Sequence, residues 1–153
     1  MAKRKAGAMP TSENKRALMQ GVVESNIAEH GIHIYAVGLG EPGSYMYTVG
    51  NAAIGQPELF ARCTKDNSSA INAIFNHFHT RGRTSPLMPT TLKCDGEQYV
   101  LRVPLNVAAL KSEMLGAQSR YPGFEVLELV PPVRAIHCAR PTTSSRCQCV
   151  MCR

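Results

Sequence analysis

The sequence predicts an α+β fold: a single domain in which about three helices cover a mixed or mainly antiparallel sheet, with flexible basic tails at both ends. Three observations carry this. Runs of period-two alternation and runs of helical spacing follow one another along 153 residues, a length suited to one domain. The first extended runs are joined by short connections, which favour antiparallel pairing. Hydrophobic residues make up 44% of the chain, enough for an ordinary core and too many for a disordered chain.

Residues 1–11 are small, basic and aperiodic, and read as a disordered tail ahead of a domain spanning 12–133. Ser12 caps a helix that runs to His30, with Leu18, Val22, Val23 and Ile27 on one stripe and Gly31 as its stop. Residues 32–37 alternate as a strand. Gly38, Gly40 and Gly43 have the spacing of a dinucleotide fingerprint. That fingerprint needs a helix N-terminus behind it to hold the pyrophosphate. Here an extended run from Tyr45 to Val49 follows instead, so the glycines read as a hairpin turn. Residues 58–63 form a third strand.

Asp66, Asn67 and Ser68 are all competent caps for a second helix. Ala70, Ile71, Ile74, Phe75 and Phe78 give it a buried face, and Gly82 ends it. His77 and His79 fall about 200° apart on this helix. They read as solvent-facing residues near its C-terminal end, because a zinc helix uses positions i and i+4. Residues 91–94 and 98–103 form a hairpin around Asp95-Gly96. Pro104 breaks it, and Asn106 caps a third helix carrying Val107, Leu110, Met114 and Leu115, closed by Pro122-Gly123. Residues 124–130 are the last strand, stopped by Pro131-Pro132. From 134 to 153 the chain is a second tail, rich in Arg, Ser, Thr and Cys.

The formal net charge is +6, but it is unevenly placed. Residues 1–16 and 134–153 carry +4 each, and the 117 residues between them carry −2. A groove-reading nucleic-acid fold carries its charge on a folded face; basic tails bind polyanions weakly and in a salt-dependent way. No apolar run reaches membrane length, and no apolar stretch follows the basic N-terminus as in a secretory signal. The expectation is a cytoplasmic protein with reduced cysteines and no membrane association.

Four tail cysteines, Cys138, Cys147, Cys149 and Cys152, offer a set of thiolates for zinc, with His137 as a possible fifth ligand. Their spacing departs from a double CxxC knuckle, and a flexible thiol-bearing tail is the alternative. No other cofactor is expected. Cys63 reads as a small buried hydrophobe. There is no Ser-His-Asp signature, no P-loop and no HExxH. Glu58 and Arg62 lie on one face of their strand, since an even offset keeps side chains on one side, and could make a polar pair, more often a surface salt bridge than a site.

Tyr47-Thr48-Val49-Gly50, followed after six residues by Pro57-Glu58-Leu59, resembles the bacterial and phage family known as domain of unknown function 4262. The likeness runs from about residue 27 to 130, and departs from the family at Asn51, where a Leu is usual. It implies a small cytoplasmic α+β domain and brings no assigned activity. A pocket, if the family has one, would lie where the two motif strands meet the 50–57 loop, with Tyr47, Thr48, Glu58 and Arg62 as its ligand-binding residues.

Three functions remain in competition at this point. The first is a non-enzymatic binding or regulatory protein with a protein partner, encoded on a mobile element or phage. The second is a small enzyme or small-ligand binder using Tyr47, Thr48, Glu58 and Arg62. The third is a tail-mediated nucleic-acid-associated or zinc-binding protein.

Overall fold

Thr11, one residue ahead of the expected Ser12, opens the first helix of the computed structural model, which describes residues 11–81 and 89–133. The Thr11 hydroxyl accepts the N–H of Asn14 at 3.4 Å and caps α1 (Ser12–His30). Gly31, at φ 77°, closes the helix by donating to the Ile27 carbonyl. The chain then forms β1 (His33–Val37) and β2 (Tyr45–Val49), an antiparallel pair. Gly38, Gly40 and Gly43 all take positive φ in the connection, so the turn reading of these glycines holds. A short 3-10 helix (Asn51–Ile54) leads to β3 (Glu58–Arg62), antiparallel to β2.

α2 (Ser68–Arg81) precedes the hairpin of β4 (Thr90–Cys94) and β5 (Glu97–Arg102). Asp95 (φ 51°) and Gly96 (φ 79°) are both left-handed, as a two-residue hairpin turn requires. Two helices, α3 (Val107–Glu113) and α4 (Leu115–Arg120), lead to β6 (Val126–Val130). β6 enters the sheet between β3 and β5, parallel to the first and antiparallel to the second. The result is a six-stranded mixed sheet ordered β1-β2-β3-β6-β5-β4, an α+β single domain. Gly82, residues 1–10 and residues 134–153 lie outside the described residues.

The expected third helix is in fact two. The side-chain oxygen of Asn106 accepts the Ala109 N–H at 3.0 Å, so the start of α3 is as expected. At Met114 the backbone leaves the helical region (φ −91°, ψ 55°) and α4 begins. The break keeps Met114 and Ala117 fully buried and turns Leu115 out, at 68% exposure. The apolar spacing of 110, 114 and 115 therefore does not describe one continuous stripe.

Alternation along the strands divides the core in two. Met46, Leu59, Ala61, Leu101, Leu127 and Leu129 pack with Ile71 and Phe75 of α2. Their neighbours Tyr47, Val49, Phe60 and Val126 pack with Met114 and Ala117, and with Ile27 of α1. Helices thus pack against both faces of the sheet. α1 is held only lightly: Val23 is its one buried residue.

Candidate functional site

The YTVG and PEL segments meet in a buried polar lock. Glu58 and Thr48 are both fully buried. The Thr48 hydroxyl donates to Glu58 Oε2 at 2.6 Å, and the N–H groups of Gly50 and Ala52 donate to Oε1 at 2.9 and 3.0 Å. The 50–52 turn can aim these amides inward because residue 50 is glycine. Its φ is 130°, and a Cβ there would lie 2.4 Å from the Gly31 carbonyl oxygen. Burial pushes the Glu58 carboxyl above its usual range, and its hydrogen bonds oppose that shift without cancelling it.

The lock extends into α2. Thr48 Oγ1 also accepts from the Leu59 N–H at 2.8 Å and from Asn51 Nδ2 at 3.3 Å. Asn51 Oδ1 accepts from His79 Nδ1 at 2.8 Å. The His79 ring lies against Gly31, where an added Cβ would sit 2.7 Å from Nε2. His79 is therefore not the solvent-facing residue the spacing suggests, while His77 is exposed. This arrangement ties β2, β3, the 50–52 turn and α2 together, and keeps Thr48, Asn51 and Glu58 out of solvent.

The four residues expected to share a pocket do not converge. Thr48 and Glu58 bond each other in the lock. Tyr47 packs into the other core, with its hydroxyl accepting the Gly116 N–H at 3.2 Å. Arg62 is exposed and makes no pair with Glu58. Instead it forms a two-pronged ion pair with Glu113 at 2.6 and 2.9 Å and covers the Phe60 ring at 5.1 Å. Glu113 sits on a helix 51 residues away in sequence, and nothing in local spacing points to it.

An open site does lie on the far side of Tyr47. α1 and α4 border a groove of about 720 Å³. Arg16, Gln20 and Glu24, four residues apart on α1, line one wall. Gln118, Ser119 and Arg120 line the other, with Met19, Val23 and Leu115 as apolar surface. Tyr35 forms the floor, its ring stacked on Tyr47 at 4.9 Å and against the edge of His33 at 4.6 Å. Gly116 lets α4 approach this stack, since a Cβ there would fall 2.7 Å from the Tyr35 ring. Burial raises the Tyr35 phenol above its usual range, and the nearby Arg120 charge pulls it partly back. Sequence reading missed this groove because its walls come from two helices about a hundred residues apart, neither bearing a motif.

Of the cysteines, Cys63 is buried in the core beside α2, as expected. Cys94 is half-buried, and its thiol is pushed up by burial and by Asp95. Cys138, Cys147, Cys149, Cys152 and His137, the expected zinc ligands, lie outside the described residues. Among the described residues no three His, Cys, Asp or Glu side chains gather as a metal site would require. Among the same residues no helix is long and apolar enough to cross a membrane. In comparisons with known proteins, no family model matches the chain, and no curated protein or solved structure does.

Proposed function

We propose that the chain is a small-molecule-binding protein without catalytic activity, and that its ligand occupies the α1–α4 groove. One contrast carries this reading. The polar groups of the YTVG and PEL segments are buried and bonded to one another, whereas the groove combines open volume, a rigid aromatic floor and exposed polar walls. Its size falls within the roughly 300–1,000 Å³ typical of small-ligand sites. A small ligand is favoured over a protein partner because the surface is concave and bounded by two helices. In this reading the likeness to domain of unknown function 4262 rests on residues that build the fold: Thr48, Gly50 and Glu58 hold the turn, and Tyr47 supports the groove from beneath.

The test is a thermal-shift screen of the full chain in reducing buffer against organic anions, cations and neutral sugars. At least one class should raise the melting temperature, since a ligand that binds only the folded state stabilises it by mass action. Ser119→Trp, which fills the groove from an exposed position, should abolish the shift. Bound compounds should be recovered chemically unchanged. Shifts that survive Ser119→Trp, or turnover of the compound, would contradict the proposal.

A further inference from the structure

Arg120 of the groove is held by a loose ion pair. Its two terminal nitrogens reach a single oxygen, Oε1 of Glu24, at 3.3 and 3.4 Å. Good guanidinium–carboxylate bonds are about 2.7–2.9 Å and commonly two-pronged. Arg62 and Glu113 show that geometry in this same molecule, with two oxygens at 2.6 and 2.9 Å. Glu24 is also 66% exposed, so little holds it in place. Two turns earlier on the same wall, Arg16 makes no ion pair with any described residue. Tyr35, Met19 and Leu115 line the same groove as the two cations.

We infer that the groove takes a small organic anion: its carboxylate, sulfonate or phosphate head displaces Glu24 from Arg120, and its flat apolar body lies over Tyr35. Glu24 then acts as an internal competitor that occupies Arg120 when the groove is empty. This inference rests on the groove being the ligand site, as proposed above, and adds the chemistry of the ligand. An oxyanion with two oxygens can accept both prongs of the guanidinium, which Glu24 in its present position does not. The gain for the incoming head is thus the difference between one long shared contact and two short ones.

The probe is 1-anilinonaphthalene-8-sulfonate, an anionic head on an aromatic body, titrated into the full chain under reducing conditions and followed by fluorescence. Arg120→Ala should weaken its binding about tenfold, the scale of one lost hydrogen-bonded charge contact, and Arg16→Ala severalfold. Glu24→Gln should tighten it severalfold, because the competitor is removed. The uncharged N-phenyl-1-naphthylamine should bind about tenfold more weakly than the sulfonate, for the same reason. Leu18→Ser, on the outward face of α1 where Leu18 is 66% exposed, should leave the dissociation constant unchanged. All these positions are exposed, and circular dichroism checks that each variant folds.

Equal binding of the neutral dye, or a Glu24→Gln protein that binds no more tightly, would overturn the inference. If Ser119→Trp abolishes dye binding while the arginine and Glu24 variants change nothing, the groove reading stands and the anion inference falls. If Ser119→Trp also changes nothing, both fall.

Discussion

Replacing Glu58 by Gln tests the buried lock with one atom's difference in shape. Thr48 Oγ1 already accepts two hydrogen bonds, from Leu59 N–H and Asn51 Nδ2, so its own proton must go to Glu58 Oε2. Glu58 Oε1 is committed to the Gly50 and Ala52 amides. A glutamine brings one oxygen and one NH₂. Turned either way, its NH₂ faces a donor: the Thr48 hydroxyl or the two amides. One buried donor is left without an acceptor, which costs about 1–3 kcal/mol. For a domain of this size roughly 4 °C is lost per kcal/mol, so the melting temperature should fall by about 4–12 °C. Urea denaturation followed by circular dichroism should give the same loss with an unchanged slope. The Thr48→Val/Glu58→Gln double variant should lose less than the two single variants together, because valine removes the opposing donor. A Glu58→Gln protein within about 0.5 kcal/mol of the parent would refute the donor accounting.

The other predictions follow from neighbouring contacts. Burial holds the Glu58 carboxyl above the usual carboxylate range in the folded protein, so the protonated form favours folding. That contribution is complete below the unfolded value and is lost as pH rises through the folded one; stability should decline across this window, and Glu58→Gln should flatten the decline. His79→Ala strips the fully buried Asn51 of its Oδ1 partner and should cost about 1–3 kcal/mol by the same denaturation assay. Gly116→Ala drives a methyl into the Tyr35 ring and should cost about 1–3 kcal/mol by overpacking, with an altered near-ultraviolet tyrosine signal. Arg62→Ala, at a half-exposed ion pair, should cost no more than about 1 kcal/mol.

Local chemistry was legible in the sequence where a single residue decides the backbone. Asp95-Gly96 dictates its hairpin, Gly31 stops α1, Asn106 caps α3, and the glycines at 38, 40 and 43 make a turn because a strand follows them. The break at Met114 was not legible, because it is set by burial of Met114 and the approach of Gly116 to a tyrosine on another strand. The pairing of Thr48 with Glu58 was half legible: the motif singles out both residues, but as ligands of a pocket. Alternation along a strand does not say whether a polar side chain meets solvent or a neighbouring turn. Asn51 departs from the residue the resemblance leads one to expect, and the structure gives it partners in Thr48 and His79. The groove could not be read at all, since Arg16 and Arg120 are brought together only by the tertiary fold.

Hydrogen exchange read by mass spectrometry, with and without 1-anilinonaphthalene-8-sulfonate, addresses the groove most directly. α1 has a single buried residue and should exchange readily when free. The account predicts that the dye slows exchange in peptides covering residues 16–24 and 115–120, and leaves those covering 48–58 unchanged. Protection centred on 48–58, or none in α1 and α4 at saturating dye, would contradict it.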